Sequence, residues 1–509
     1  MTHTAGAVGQ SPVIRVAGDL GDVRRETLLE TAREGSVAVV GTGPTGIEGI
    51  EPLVLGTVDG ETALLPAPGE ADVRALVSAL EDDSLPATES LPPAASRTSH
   101  ESGAATLPVP EAGSLAVGDR RVLGPCGWID PELSAEIQLH GADADSERVG
   151  ELTVRARGRG DAADGEVAAA AWERVREADG EAVVVINGHE ADHRPRGDRT
   201  LLAGAPLAVL DGAAAVAAFV GARDLFVYLD ETDEQLQKRV EAAVESAADE
   251  LPTTPQVVVG PDEYRAGAPT GALEAMEGAD RIEPRLQPPP PSEYGLYGRP
   301  TVVHTPRTFA QVRQALAEPG HADADANDPG TRLVTVRGDV EAPATVELPT
   351  NRQLAAVLEA VTLDGQFKMA CVGGALGGLT RALSVPCSGP SLRGASLGTD
   401  GVVEVLTEGR CAVAVAGERA RFAVEENSGR CVPGREGTVQ LTELLRAVYD
   451  GSFETGKIQE LGRVMRQSAN CQIGAQAPRP VLTAIEEFGS EFRAHAEGRC
   501  PSGTCTENL

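Results

Sequence analysis

Glu426-Asn-Ser-Gly-Arg-Cys-Val-Pro-Gly-Arg-Glu-Gly-Thr438, with Cys471 about one helical hairpin further on, is the stretch from which the chain is best read. A cubane iron–sulfur cluster takes four thiolates, commonly from a C-x-x-C-x-x-C loop and a distant fourth cysteine. The positions in that rhythm here are Ser428, Cys431, Gly434 and Cys471. Two thiols, one hydroxyl and one missing side chain do not make a 4Fe–4S ligand set, so no intact cluster is predicted. The plainer alternative is that Cys431 and Cys471 are small buried apolar residues. Around the loop, Leu441, Leu444, Leu445 and Val448, then Ile458, Leu461, Val464 and Met465, recur at helical spacing. A helical bundle over 426–498 follows.

Working outward, an α/β multidomain chain is predicted. Residues 12–81 alternate strand (13–16), helix (24–32) and strand (36–40, 52–55), the layout of a small α/β domain. Residues 82–118 turn to Ser, Thr, Pro, Ala and Glu without periodicity and read as a disordered linker. A larger α/β domain spans 119–290, with strands at 182–186, 225–229 and 256–259 and a proline run, 288–291, at its end. A connector and a further small domain fill 291–425, with strands at 333–336 and 345–348 and a helix at 353–361. Residues 499–509 form a tail.

The chain has 509 residues and a formal charge of -33, from Asp+Glu 77 against Lys+Arg 44. Apart from Lys238, Lys368 and Lys457 its positive charge is arginine. Such acidity keeps a chain soluble in brine, a halophilic trait, and disfavours nucleic acid and anionic membrane as partners. The apolar stretch 206–222 is alanine-rich and broken by Asp211, which suits a buried helix, not a bilayer span. The first residues lack the regions of a signal peptide, so a cytoplasmic location is expected. Eight scattered cysteines suggest reduced thiols or metal ligands, not a disulfide framework.

The opening loop resembles E-S-C-G-x-C-x-P-C-R-E-G-T, the cluster loop of the NADH-oxidising flavoprotein subunit (NuoF type) of NADH-quinone oxidoreductase, NAD-reducing hydrogenase and formate dehydrogenase. Glu426, Gly429, Cys431, Pro433, Arg435, Glu436, Gly437, Thr438, Cys471 and Gly474 match it. Tyr294-Gly-Leu-Tyr-Gly-Arg-Pro-Thr-Val-Val303 is similar to the family's K-G-L-x-G-R-P-T-V-V segment. Ala477-Pro-Arg-Pro-Val-Leu482, with Phe488 and Phe492, resembles the helix after the fourth ligand, and Cys126-Gly-Trp-Ile-Asp-Pro131 the entry to the flavin domain. The resemblance implies a thioredoxin-like N-terminal domain, a flavoprotein Rossmann-like core, a β-grasp (ubiquitin-like) domain and a C-terminal helical bundle. Gly43-Pro-Thr-Gly-Ile-Glu-Gly-Ile-Glu-Pro-Leu-Val54 is similar to the G-C-x-G-x-C-x-x-E-P-L-V loop of thioredoxin-like ferredoxins, with Pro44 and Glu48 at the cysteine positions. That domain therefore lacks its cluster ligands.

The resemblance implies FMN and NAD as cofactors, yet their segments have diverged. The phosphate loop R-G-R-G-G-A-G-F-P-T-G-x-K-W reads Arg157-Gly-Arg-Gly-Asp-Ala-Ala-Asp-Gly-Glu-Val167, keeping Gly158, Arg159 and Gly160. Asp161 and Asp164 put negative charge beside the expected phosphate, and the family's lysine aligns with Ala171. The second segment, N-A-D-E-x-E-P-G-T, reads Asn187-Gly-His-Glu-Ala-Asp-His-Arg-Pro195, where Asn187, Glu190 and Asp192 stay polar and His189 replaces an acid. Two further carboxylates have become Ala268 and Pro269, and the asparagine pair after Val303 is His304 and Thr305. Each retained residue has a plainer reading: the glycines permit a tight turn, and Asn187 and Glu190 cap the next helix.

His495, Cys500 and Cys505 form H-x4-C-x4-C, and Cys500-Pro-Ser-Gly-Thr-Cys505 resembles the C-P-A-G-x-C element of hydrogenase-type members. These three ligands suit zinc if a fourth comes from elsewhere, for example another subunit. The alternative is a solvated tail with two idle thiols. The sequence thus points to a diverged homologue of the NADH-oxidising flavoprotein, a partner-binding or regulatory subunit of an oxidoreductase complex with little NADH oxidation. Two rivals stand beside it. One is an active NAD(P)H-dependent flavin oxidoreductase passing electrons from NADH via FMN to an acceptor. The other is a nucleotide- or metabolite-binding protein that uses Arg157, Arg159 and His189.

Overall fold

The computed structural model describes residues 11–505 except 88, 90, 142–143, 287 and 319–326. Its first sheet runs β2-β1-β3-β4-β5, from β1 (Val13–Ala17), β2 (Ala38–Gly41), β3 (Leu53–Val58), β4 (Glu61–Pro66) and β5 (Ser96–Ser99), with only β1 and β2 parallel. The period of two divides its side chains between two cores. Ile14, Val16, Val54 and Leu65 meet helices α1 (Val23–Ala32) and α2 (Glu70–Glu81), while Ala17, Leu53, Leu55 and Leu64 face the rest of the protein. Asp22 caps α1 by accepting from the Arg24 amide. The Arg15 guanidinium stacks 3.8 Å from the Trp128 ring, which joins this sheet to the next unit.

Strand β5 corrects the reading of 82–118 as a disordered linker. Residues 96–99 pair with 61–64, and beyond them His100 meets the Trp128 ring edge-on at 5.3 Å while Trp128 Nε1 donates to the Ala104 carbonyl. An edge strand needs only backbone donors and acceptors from its neighbour, so this polar segment orders without an apolar face of its own.

The second sheet is all parallel, β8-β7-β6-β9, from β6 (Val183–Asn187), β7 (Asp224–Asp230), β8 (Gln256–Gly260) and β9 (Thr301–His304). Strand β6, Val-Val-Val-Ile-Asn, is buried throughout, as a strand covered on both faces must be. Around it lie α3 (Ser146–Gly150), α4 (Ala168–Glu177), α5 (Gly197–Gly204), α6 (Pro206–Val220), α7 (Glu234–Ser246), α8 (Pro269–Met276) and α9 (Pro306–Ala317). Helix α6 is buried except at Ala218, and it touches α9 so closely that a Cβ on Gly212 would lie 2.0 Å from the Phe309 carbonyl oxygen. Helices α5 and α6 meet at 100°, and among the described residues no single helix is long and apolar enough to cross a membrane.

The third sheet, β11-β10-β14-β12-β13, contains β10 (Thr331–Gly338), β11 (Ala344–Pro349), β12 (Phe367–Val372), β13 (Gly378–Thr380) and β14 (Val402–Thr407), with short helix α10 (Gly389–Gly394) before its last strand. Only β10 and β14 are parallel neighbours. The helix predicted at 353–361 is a 3-10 helix, Leu354–Ala360, buried through Leu354, Ala356, Val357 and Ala360. The chain ends in a bundle of α11 (Ala412–Glu426), α12 (Thr438–Tyr449), α13 (Thr455–Ser468), α14 (Gln472–Gln476) and α15 (Pro478–Ala496). A single π-turn, Pro433–Gly437, carries the quoted loop into α12. The whole is a multidomain α/β fold.

Candidate functional site

The glycine loop after Arg155 approaches the C-terminal end of β6, where a parallel sheet usually presents its ligand site. Gly158 has φ +81° and lies against the Arg307 guanidinium, so a side chain there is excluded both by backbone conformation and by space. Arg157 points away from the site: its Nη1 is 2.6 Å from Asp328 Oδ1, and Nε and Nη2 donate to the Thr331 and Pro329 carbonyls. Burial pulls its pKa down to about 10. The expectation that Arg157 holds a metabolite is therefore corrected: its guanidinium ties the glycine loop to the start of the third sheet. Arg159 does face the site, with Nη2 donating to the Tyr264 carbonyl at 2.7 Å and its guanidinium 3.6 Å from the centre of that ring.

The carboxylates are engaged within the protein. Asp161 accepts from His304 Nδ1 at 2.9 Å and from the Thr308 hydroxyl at 2.8 Å, while Trp172 Nε1 donates to His304 Nε2 at 2.8 Å. The indole N–H thus assigns the imidazole proton to Nδ1, and a buried Trp172–His304–Asp161–Thr308 chain forms. Asp164 accepts from the Thr399 hydroxyl. Asn187 Nδ2 donates to Gly160 O at 2.8 Å and, more weakly, to Gly267 O. Glu190 accepts from the Asp198 and Arg199 amides at 3.0 Å, capping α5, and Asp192 Oδ2 accepts from the Ala375 amide at 2.6 Å. His189 stacks on Tyr228 and places Nε2 2.9 Å from the Pro261 carbonyl; burial pushes its pKa down.

What remains between these groups is a cavity of about 20 Å³. Glu190, Asp192, Asp198 and Asp400 line it against Arg159 and Arg307. Arg307 is committed to its acids, at 2.5 Å from Asp198 and 3.3 Å from Glu190. Burial, reinforced by neighbouring carboxylates, pushes both Glu190 and Asp400 up to about 7.

At the bundle loop, Cys431 Sγ and Cys471 Sγ lie 3.1 Å apart as free thiols. The Gly474 amide points at Cys471 Sγ from 3.3 Å, and burial with the neighbouring thiol pushes the Cys471 pKa up to about 12. A Cβ on Gly434 would lie 2.9 Å from one sulfur and 3.4 Å from the other, so this position aims at the thiol pair but supplies nothing. Ser428 is buried, its hydroxyl accepting from the Arg430 amide at 3.3 Å.

The C-terminal ligands behave differently. His495, Cys500 and Cys505 are joined by Cys411, and the four ligand atoms all lie within 4.8 Å of one another. Cys411 precedes α11, His495 sits in the last turn of α15, and the other two lie in the turn beyond it. Cys411 Sγ is 3.4 Å from His495 Nε2, and His495 Nδ1 lies 2.7 Å from the Glu491 carbonyl, an arrangement that leaves Nε2 free to ligate. The fourth ligand expected from another subunit thus comes from this chain. Its sequence separation from the rest hid it; only the packing of α11 against α15 reveals it. Tyr449 adds an edge-on ring contact to His495. The Ser502 hydroxyl and the Cys505 and Thr504 amides outweigh the burial of Cys500 and bring its thiol down to about 5.

Two family profiles match the chain. The Nuo51 FMN-binding domain covers residues 153–314, and the NADH-ubiquinone oxidoreductase-F iron-sulfur binding region covers 414–495. Among curated relatives, the NADP-reducing hydrogenase subunit HndC of Solidesulfovibrio fructosivorans is 27% identical over 75% of this chain and 85% of its own length. The NAD-reducing hydrogenase HoxS subunit alpha of Cupriavidus necator is 29% identical over 67% of this chain and 59% of that protein. The NADH-quinone oxidoreductase F subunit of Streptomyces coelicolor is 28% identical over 68% of this chain and 82% of its own. In fold, the chain is similar to the crystal structure of an NAD+-reducing NiFe-hydrogenase in the H2-reduced state, with TM-score 0.66, 24% identity, and coverage of 96% of this chain and 85% of that one.

Proposed function

We propose, from the premise that this chain is like the NuoF-type flavoprotein of NADH-quinone oxidoreductase, that it serves as a partner-binding subunit of a cytoplasmic oxidoreductase complex and oxidises little or no NADH itself. The observation that carries this reading is the acid-lined site: Glu190, Asp192, Asp198 and Asp400 line the small space that the cofactor segments leave between them. The space between them, about 20 Å³, has room for about one water molecule, and the adjoining cleft of about 330 Å³ is lined by Glu190, Asp230 and Asp233 beside Arg196 and Arg199. The site's carboxylates oppose a phosphate dianion, Arg307 is already paired with Asp198, and Arg159 is held by the Tyr264 carbonyl and ring. FMN does not fit these residues. Nor does a 4Fe–4S cluster fit the bundle loop, where two thiols touch and the other two positions offer a hydroxyl engaged with the backbone and a bare Cα. No electron-transfer step is assigned to either group.

The framework that remains is that of relatives named as subunits of hydrogenases and of NADH-quinone oxidoreductase, which supports a place among other subunits. The test is purification under argon in multimolar salt, followed by flavin and iron analysis, NADH-dependent reduction of an artificial acceptor, and native mass determination. A colourless protein in a defined larger assembly is expected. Stoichiometric flavin and iron with NADH turnover would overturn the proposal, as would a chain that is monomeric in native extracts.

A second reading rests on the C-terminal quartet. Three thiols and one imidazole, converging from three segments with no open position among them, form the donor set of a structural zinc site. The four residues would hold the ion and lock the chain end to α11 and α15. One zinc per chain in the purified protein is expected, and its absence from protein prepared with zinc present would remove this reading.

A further inference from the structure

Between α10, α13 and α15 lies another cleft, of about 650 Å³, which shares no lining residue with the acid-lined cavity. Arg393, Arg466, Arg479 and Arg493 line it, and Glu486 is its one carboxylate. Arg157 and Arg332 are neutralised at close range by Asp328, and Arg307 by Asp198. In the cleft, by contrast, none of the four makes an ion pair among the described residues, and Arg479 has only a 3.3 Å bond to the Leu376 carbonyl. Arg393 and Arg479 feel Asp164 and Asp400 across a distance, whereas Arg466 and Arg493 are exposed with no partner. A chain of net charge -33 has therefore gathered four guanidiniums around one concavity, none of them in an ion pair among the described residues. Low-dielectric walls concentrate that positive potential in the cleft.

Size and lining narrow the ligand. The volume falls within the range of small-molecule sites, about 300–1,000 Å³. Guanidinium forks match phosphate oxygens two at a time. Leu397, Leu482 and Ile485 make an apolar wall, and Phe453 is held in place by stacking on Phe492 at 5.5 Å. An acid without an apolar body would leave that wall wet. We propose that this cleft binds a nucleoside polyphosphate, with the phosphates at the arginines and the base against Phe453 and Leu482. The assignment is independent of whether flavin or NADH binds elsewhere.

The experiment is calorimetric titration of the full chain with ATP and, separately, with inorganic tripolyphosphate, in the lowest salt that preserves its circular dichroism. Saturable ATP binding is expected, weakening by about tenfold or more in Arg466→Gln/Arg493→Gln. Both side chains are exposed and unpaired, so the variant keeps its fold, which circular dichroism checks. Phe453→Ala should weaken ATP but not tripolyphosphate. Equal affinity for both ligands would overturn the nucleoside assignment and leave a free polyphosphate site. No saturable binding, or ATP binding unchanged in the double arginine variant, would overturn the cleft as a whole.

Discussion

The helical bundle carries two cysteine sites that have had opposite fates. At the loop before α12 a π-turn and the amide of Gly474, aimed at sulfur, frame two thiols, Cys431 and Cys471, that lie in contact. At the chain end Cys411, His495, Cys500 and Cys505 bring four ligand atoms within 4.8 Å. Ligand atoms, not the fold that positions them, decide where a metal sits, because a thiolate replaced by serine or glycine removes most of the metal's binding energy while leaving packing almost untouched.

The sharpest way to break this comparison is at Cys411. If the quartet holds zinc, its binding energy is part of the folding energy of the bundle. Cys411→Ser should lose the metal and destabilise the chain by on the order of 2 kcal/mol or more. Treating the wild type with a strong chelator should lower its melting temperature by a similar amount, and the chelator should then do nothing to the variant. Equal melting temperatures with and without chelator in the wild type would mean that the two cysteine sites are equally empty.

The opposite manipulation adds two thiols to the loop. Gly434 lies in the π-turn and carries no positive φ, so its backbone tolerates a side chain. A Cβ there would press on both sulfurs from 2.9 and 3.4 Å and push apart the pair that a cluster needs separated. Ser428→Cys/Gly434→Cys, reconstituted anaerobically with iron and sulfide, should take up about four irons per chain; the wild type and each single variant should take up few or none. Wild-type protein that reconstitutes as well as the double variant would show that the missing ligands come from somewhere else.

Much of this was legible in the sequence where one residue type carries one physical reason. The apolar runs of β6 and β7 and the alanine-rich α6 read correctly because parallel strands covered on both faces and a central helix must be apolar throughout. Ser428 and Gly434 were visible as interruptions of the cysteine spacing. What stayed hidden depends on distant partners. Strand β5 takes its order from the edge of β4, Arg157 is drawn away from the cofactor loop by Asp328 across 171 positions of chain, and Cys411 joins His495 across 84. The closing of the cavity was half visible: Asp161 was recognised as hostile to phosphate, but its capture by His304 and Thr308 needs the register of β9 and α9.

The smallest expected effect separates the emptied cavity from the quartet by their response to pH. Asp400 is pushed up from its ordinary value to about 7, by burial first and by Asp164 second. A carboxyl whose folded pKa is raised binds its proton more tightly when folded, so its contribution is fully present below about 4 and is lost as pH rises through about 7. Glu190, also raised to about 7 by burial and by Asp198, acts in the same direction. Asp400→Asn cannot ionise, so its stability in urea should fall less than that of the wild type between pH 4 and pH 8. At pH 8 the variant should be the more stable by on the order of 1 kcal/mol. A zinc site has the reverse slope, since its thiols and imidazole must shed protons to bind, and stability held by metal grows as pH rises. If Asp400→Asn and the wild type show parallel pH curves, the cavity is wetter than its size implies. If chelated protein loses stability on going to higher pH while metal-loaded protein does not, the two regions obey the opposite proton linkages that their ligand inventories require.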